Sequence, residues 1–188
     1  MEPDPLPRGR PARIALIADT HLPRRGAELP AACRVVAAGC DLIIHAGDHS
    51  TLASLDALRA LGPPVVAVHG NIEEPTLTAA LTATAEVEAG GVRIGVIHDA
   101  GPQRGRAARM RRRFPRAAVV VFGHSHIPAD LVPDDGPRLV NPGSPTDRRR
   151  QPRTTMAVMT VVAGRVDAVE FHAVDEPPGP LDPDLVRR

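Results

Sequence analysis

The sequence predicts an α/β fold in which two β-sheets pack as a sandwich. Short apolar runs rich in β-branched residues alternate with helix-like stretches in the first part of the chain, the pattern of strand–helix–strand units. Later strand-like runs are joined in part by Asp135-Gly136 and Ala163-Gly164, turn signals that indicate antiparallel hairpins. Aromatic residues make up only 2% of the chain. The core must therefore be packed from Val, Ile, Leu and Ala, which suits a sheet buried on both faces.

The first part contains five predicted strands with helices between some of them. The strands are 13–18, 41–46, 64–69, 92–97 and 117–122, and the helices are 30–38, 51–61 and 105–113. Ser50 or Thr51 is expected to cap the second helix. A further strand, 83–88, turns through Gly90-Gly91 into the strand at 92, and later strands are expected at 129–132, 138–140, 154–162 and 165–173. We expect one sheet fed by crossover helices and a second that is largely antiparallel.

One folded domain is expected over residues 12–174. Residues 1–11 hold four prolines and are expected to form a flexible N-terminal lead, and the Pro-rich tail 175–188 is expected to be disordered. No run approaches the ~18 apolar residues of a membrane span, and the N-terminus lacks the apolar stretch of a signal peptide. Cys33 and Cys40 are expected to be reduced, buried thiols. We therefore expect a cytoplasmic protein that does not bind membranes.

Arginine supplies every basic side chain except histidine, and the formal net charge is +1. This balance neither favours nor excludes a polyanionic partner. Two stretches, 104–116 and 148–153, are rich in Arg. We interpret them first as solvated faces in an Arg-biased proteome, and alternatively as sites for the phosphates of a nucleotide or oligonucleotide. No aromatic residues interleave them, which argues against base stacking.

Side chains able to bind metal follow five of the predicted strands. Ligand sites in parallel α/β sheets lie outside the carboxyl ends of the strands, so we expect these side chains to meet at one edge of one sheet. Carboxylate, imidazole and amide oxygen without thiolate suit Mn²⁺, Fe²⁺, Ni²⁺ or Zn²⁺ in a catalytic site better than a structural zinc. A carboxylate can also bridge two cations about 3.5–4 Å apart. The set is Asp19, His21, Asp48, Asn71, His98, His124 and His126.

The motifs that contain these residues resemble those of calcineurin-like metallophosphoesterases, in particular the small YfcE-type phosphodiesterases. The retromer scaffold subunit is also similar. The resemblance covers residues 13–172 and rests on the ordered D-x-H, G-D, G-N, H and G-H-x-H set. It also includes Ile44-His45-Ala46-Gly47-Asp48, Phe122-Gly123-His124-Ser125-His126 and Asn141-Pro142-Gly143-Ser144.

The resemblance implies a four-layer α/β/β/α sandwich of two mixed sheets with two divalent metal ions, of which Mn²⁺ is the first expectation. Asp48 would bridge the ions and act with a hydroxide that attacks phosphorus in line with the leaving oxygen. One ion would be held by Asp19, His21 and His126, and the other by Asn71, His98 and His124.

Two positions depart from the family pattern. Larger members read G-N-H-[DE], with a His thought to aid departure of the leaving group, whereas this chain reads Gly70-Asn71-Ile72-Glu73. General acid help is worth roughly 10²–10⁴-fold, so a slow enzyme that prefers good leaving groups is expected. The small members also tend to lack this His. The second departure is Asp99 in place of a Gly, which either orients His98 or a metal-bound water or is a solvated strand end.

Three residues are candidates for substrate contact. Arg153 follows the Asn-Pro-Gly-Ser loop, as a Pro-Arg does in similar proteins, and is the first candidate for binding phosphate. Ser144 belongs to that loop, and His49 follows the bridging Asp48. His45 and His69 are expected to be buried, hydrogen-bonded residues.

The preferred function is metal-dependent hydrolysis of a small phosphodiester. The alternatives are a non-catalytic scaffold that binds proteins, like the retromer subunit, and a nuclease-like phosphodiesterase. Nucleic acid is not the favoured partner, and a homo-oligomer stays open. Retention of all seven predicted ligands speaks against a pure scaffold.

Overall fold

Eleven strands and four α-helices make up the computed structural model, which describes residues 10–187. In chain order they are β1 Ala12–Ile17, α1 Ala31–Ala38, β2 Leu42–His45, α2 Leu52–Arg59, β3 Val65–Ala67, α3 Pro75–Ala80, β4 Thr84–Ala89, β5 Val92–Ile97, α4 Arg106–Arg113, β6 Val119–Val121, β7 Ala129–Leu131, β8 Arg138–Asn141, β9 Thr155–Val162, β10 Arg165–Ala173 and β11 Gly179–Pro180. Within this part of the chain, no helix has the length and apolar character needed to cross a membrane.

The strands form two mixed sheets. The six-stranded sheet has the order β11-β10-β9-β1-β2-β3, in which β1, β2 and β3 run parallel and β9 and β10 pair antiparallel. The five-stranded sheet has the order β4-β5-β6-β8-β7, in which β5, β6 and β8 run parallel. The predicted hairpin turns are confirmed, since β4 pairs with β5, β7 with β8 and β9 with β10, all antiparallel.

Alternation along the strands builds the four layers that the family resemblance implies. Successive side chains of a strand point to opposite faces, and β1 shows the consequence. Ile14 and Leu16 lie in the core between the two sheets, whereas Ala15 and Ile17 lie in a second core with Cys33 of α1. On the outer side of the five-stranded sheet, a third core contains residues of α4, β6 and β8 and their flanks, including Met110, Phe114, Val120, Phe122 and Leu139.

Local sequence signals explain several element ends. Thr51 caps α2, because its hydroxyl accepts a hydrogen bond from the backbone N–H of Ser54 at 3.2 Å; this agrees with the predicted cap and is a favourable N-cap arrangement. Helix α3 was not predicted. Its six residues are too few for a clear helical period, although Pro75 at its first turn is a typical helix start.

The C-terminal segment corrects one prediction. The structure packs this segment against the domain, although its composition predicts disorder. Strand β11 pairs with β10, and Leu181 and Val186 are buried in the core between the sheets. These two apolar residues stand among prolines and acidic residues, so the average composition conceals them. The predicted N-terminal lead, 1–11, lies almost wholly outside the described residues.

Candidate metal centre

The seven predicted ligands come from the carboxyl ends of five strands, but these strands belong to both sheets. β1, β2 and β3 lie in the six-stranded sheet, and β5 and β6 lie in the five-stranded sheet. The prediction of one edge of one sheet is therefore wrong. The site lies where the parallel strands of the two sheets end together, and the His124 N–H donates to Asp19 Oδ1 at 3.0 Å, which connects the segment after β6 with the segment after β1.

The backbone turns sharply at this edge. Five of the predicted ligands have positive φ, namely Asp19 at 57°, His21 at 49°, Asp48 at 61°, His124 at 68° and His126 at 58°. Residues other than glycine seldom adopt this left-handed region, and such strain concentrates at functional sites. The surrounding contacts must hold these turns in place.

Asp19, His21 and His126 form the first group of side chains. Nε2 of His126 lies 3.5 Å from Asp19 Oδ1 and 3.1 Å from His21 Nε2. Asp19 and His126 are buried, and His21 is partly exposed. One potential ligand atom from each residue lies within 4.8 Å of the others, which is compatible with a single cation among the three.

Asp48, Asn71 and His98 form the second group, with His124 beside them. Nε2 of His98 lies 3.0 Å from Asn71 Oδ1 and 3.3 Å from Asp48 Oδ1, and the His124 ring packs edge-on at 5.2 Å between ring centroids. The other carboxylate oxygen of Asp48, Oδ2, lies 3.7 Å from His21 Nε2. Asp48 therefore directs one oxygen towards each group, as a bridging carboxylate would.

The Asn-Pro-Gly-Ser loop supports the first group from behind. The Ser144 hydroxyl donates to the Asp19 carbonyl at 2.7 Å, and the Thr146 hydroxyl donates to the Thr20 carbonyl at 2.6 Å. The Asn141 amide donates to the Gly123 carbonyl at 2.8 Å. These bonds hold the two strained turns that carry Asp19 and His124 against each other.

Burial and charge set the protonation of the centre. Burial raises the pKa of Asp19 to about 7 and lowers the pKa of His126 to about 4. Burial also opposes the charged form of His98, but its hydrogen bond to Asp48 and the charges of Asp19 and Asp48 raise its pKa to about 9. Burial raises the pKa of Asp48, but the hydrogen bond and charge of His98, together with further contacts, lower it by more. The pKa of Asp48 is therefore below its ordinary value. Of these histidines, His98 has its charged form stabilised, next to Asp48, whereas burial disfavours the charged form of His126.

The donor set fits a divalent cation. Oδ2 of Asp19 is buried and has no hydrogen-bond partner among residues 10–187, an arrangement that is costly unless something compensates it. A cation among Asp19, His21 and His126 would satisfy this oxygen. Asp19 also belongs to a second cluster with Asp48 and His98, so carboxylate oxygens face both candidate positions.

A family match agrees with this geometry. The sequence model of the calcineurin-like phosphoesterase superfamily domain matches residues 13–164. The chain belongs to this superfamily. A probable metallophosphoesterase from Methanocaldococcus jannaschii is 37% identical over 141 residues, which are 71% of this chain and 68% of the relative. A probable metallophosphoesterase from Methanothermobacter thermautotrophicus is 33% identical over 163 residues, 82% of this chain and 89% of the relative.

A solved structure with a similar fold is Vacuolar Protein Sorting 29 from Cryptosporidium parvum. It superposes with a TM-score of 0.77 and 19% sequence identity, over 91% of this chain and 96% of the other. At this identity the likeness shows the fold alone. This chain therefore belongs to the superfamily, has the metallophosphoesterase fold and contains a set of candidate metal ligands.

Two of the residues predicted to bind substrate make structural contacts in the folded chain. The side chain of Ser144 is buried and bonded to the Asp19 loop. Nε of Arg153 donates to Asp175 Oδ1 at 2.6 Å, and Nη2 donates to the Pro177 carbonyl at 2.7 Å. These contacts hold the guanidinium on the C-terminal segment, and the contact between Arg153 and phosphate stays a prediction.

His49 is not placed for the substrate contact predicted for it, whereas Asp99 agrees with the solvated strand end that was one of its two predicted roles. His49 is 1% exposed and stacks on His45 with 3.5 Å between ring centroids, so its ring is not available to a substrate. Nδ1 of His98 lies 2.8 Å from the Ala46 carbonyl, which orients the ring. Asp99 instead accepts a hydrogen bond from the Gly101 N–H at 2.7 Å and is exposed; it does not orient His98.

Arg149 is a further residue of the site, which the sequence does not single out. Nη1 of Arg149 donates to the His124 carbonyl at 3.1 Å, and its charge acts on Asp19, His21 and His126. Arg149 is exposed and has a φ of 48°. Its position in the Arg148–Arg150 run was visible in the sequence, but nothing distinguished it from its neighbours.

Proposed function

We propose that this protein hydrolyses phosphodiesters with two divalent cations, for which Mn²⁺ is the first candidate. The observation that carries the proposal is Asp48, whose two carboxylate oxygens face the two groups of candidate ligands at 3.3 Å and 3.7 Å from His98 and His21. Bound cations would supply Lewis acidity, which lowers the pKa of a water and stabilises charge on the phosphate oxygens.

The protein's own residues supply binding and orientation. Arg149 is exposed beside His124 and carries a charge that can neutralise a phosphate oxygen. The Ala46 carbonyl fixes the His98 ring through Nδ1, which leaves Nε2 directed at the site. Ile72 cannot donate a proton, so the leaving group departs without help from this position.

The shape of the site favours a diester over a monoester. Two cavities of about 280 Å³ each flank His124, and both also contact Asp99. One reaches Asn71 and His98, and the other reaches Phe122 and Arg106. A phosphate centred near His124 therefore has room for a substituent on either side.

Hydrolysis of bis(p-nitrophenyl) phosphate after addition of Mn²⁺ tests the proposal, with p-nitrophenyl phosphate as the monoester comparison. Asp48→Asn and His124→Ala should each lower kcat/KM by at least about 100-fold, because losing a transition-state contact of this kind costs several kcal/mol. His172→Gln, on β10, is the matched control and should retain activity. Equal activity in wild type, Asp48→Asn and His124→Ala would refute the assignment.

The alternative is a scaffold that binds other proteins without catalysis. The likeness to Vacuolar Protein Sorting 29 in fold favours it. The unpartnered carboxylate oxygen of Asp19 and the strained ligand turns favour catalysis instead, because a scaffold gains nothing from them. A metal-loaded protein that binds Mn²⁺ but hydrolyses neither ester would favour the scaffold.

A further inference from the structure

The arginines of α4 differ in how they are used. Arg106 donates to the Gly101 carbonyl through Nε and Nη2, and Arg109 donates to the carbonyls of Ala100 and Arg104. These two side chains hold the loop that leads into α4. Arg111 pairs with Asp135. Within residues 10–187, Arg112 and Arg113 have no hydrogen bond or ion pair from their side chains.

Arg113 is the one of these two that contacts the metal centre's cavity. The cavity of about 280 Å³ is lined by Arg113 and by Asn71, His98 and His124, which are three of the four candidate ligands outside the first group. Arg112 does not line this cavity, although both arginines contact a neighbouring one. A free guanidinium thus shares a cleft with the predicted centre of hydrolysis.

We propose that Arg113 binds a second phosphate group of the substrate, so that the substrate is a phosphodiester carrying a further phosphate, as in a nucleotide chain. This inference rests on the proposed phosphodiesterase function. A guanidinium matches the geometry of phosphate oxygens and binds them bidentately.

Charge around the cavity is compatible with a second anion. Asp99 is the acidic residue that lines it, and its Oδ1 already accepts the Gly101 N–H. The C-terminal end of a helix carries partial negative charge, but Arg111, Arg112 and Arg113 occupy the last turn of α4 and offset it. With no Trp or Tyr and three Phe in the chain, recognition would depend on phosphates and not on base stacking.

Chromogenic nucleotides provide the test. The p-nitrophenyl ester of thymidine 5′-phosphate is compared with the same ester carrying a 3′-phosphate, and the p-nitrophenyl ester of thymidine 3′-phosphate with its 5′-phosphorylated form. Nitrophenolate is a good leaving group, so the absence of a proton donor at Ile72 does not limit the assay. The added phosphate should raise kcat/KM about tenfold or more in at least one pair, the effect of one charge-assisted contact.

Arg113→Gln should abolish that preference while leaving hydrolysis of bis(p-nitrophenyl) phosphate within about twofold, because the small ester has no second phosphate to lose. Arg113→Lys should retain part of the preference, since the charge remains without the bidentate geometry. Arg112→Gln is the matched control and should keep all of it. Thermal unfolding of each variant confirms equal folding.

The outcomes separate the two proposals. If wild type hydrolyses bis(p-nitrophenyl) phosphate but shows no preference for either phosphorylated nucleotide, the inference on Arg113 is wrong. It is equally wrong if the preference survives in Arg113→Gln or is lost to the same extent in Arg112→Gln. If the metal-loaded wild type hydrolyses no diester at all, the proposed function fails and the inference fails with it.

Discussion

Gly70 lies directly before Asn71 in the segment that follows β3, and a methyl group at this position should displace Asp48. A Cβ built on Gly70 would lie 2.1 Å from Asp48 Oδ1 and 2.7 Å from the Asp48 backbone nitrogen. Ordinary contact begins at 3.4 Å, so the carboxylate oxygen would have to move by about 1.3 Å. The same oxygen accepts the Asn71 N–H at 2.8 Å, and this bond would be lost or lengthened.

Gly70→Ala should therefore weaken metal binding and activity more than it weakens the fold. Misplacing a reacting group by 1 Å can cost about 100-fold in rate, and overpacking costs typically about 1–3 kcal/mol of stability. We expect a loss of about 100-fold in kcat/KM for bis(p-nitrophenyl) phosphate, with weaker Mn²⁺ binding measured by calorimetry. Urea unfolding should show a loss of about 1–3 kcal/mol.

Gly179→Ala is the matched control, because a Cβ there has no neighbour within 4 Å. It should leave Mn²⁺ binding and activity at wild-type levels. Wild-type Mn²⁺ affinity and activity in Gly70→Ala would show that Asp48 tolerates the methyl group, and the reasoning from close contact would be refuted.

Three further predictions concern protons, thiols and a buried ion pair. Mn²⁺ affinity should fall about tenfold per pH unit below pH 9 and more steeply below pH 7. The metal must displace a proton from His98, whose pKa is about 9, and at lower pH also one from Asp19, whose pKa is about 7. Anaerobic titrations that show no pH dependence of Mn²⁺ affinity would contradict this. Cys33 is fully buried with a pKa raised to about 12, so iodoacetamide at pH 8 should label it only after unfolding, as mass spectrometry can show. Arg138→Ala should cost about 1.5–3 kcal/mol in urea unfolding, because the Asp130 side chain, which is 1% exposed, loses its two contacts of 2.7 Å with Arg138.

Several features of the fold follow from local sequence. The runs that become β5 and β10 have the same bounds in sequence and structure. The turn signals Gly90-Gly91 and Ala163-Gly164 fix the residues at which these strands begin. Thr51 caps α2 as its hydroxyl predicts. Strand pairing is different, because it joins segments distant in sequence. The strand at 92–97 follows a hairpin into the second sheet, yet its apolar run is like that of the strands in the first sheet.

The site divides in the same way. Residue type and position after a strand identified the seven side chains that the fold brings together, because ligands lie at the carboxyl ends of parallel strands and those ends lie side by side in the two sheets. The pairing of Arg153 with Asp175 was not predicted, because Asp175 is 22 residues away in a segment expected to be disordered. The burial of His49 was not predicted either. His49 follows Asp48, which has positive φ, and the direction of the His49 side chain after such a turn depends on tertiary contacts.

The strained turns and the buried carboxylate explain each other. A ligand such as Asp19 must reach inward from a strand end, and a left-handed residue redirects the chain within one step, at an energetic cost of about 1–3 kcal/mol. The bonds from Ser144 and Thr146 to the Asp19 and Thr20 carbonyls offset that cost. The same bonds keep Asp19 Oδ2 buried and without a hydrogen-bond partner among the described residues. In a solvated loop, Asp19 would turn outward and this oxygen would bind water. The loop that supports the turn therefore preserves the unsatisfied oxygen, and a cation can draw binding energy from it without first rearranging the protein.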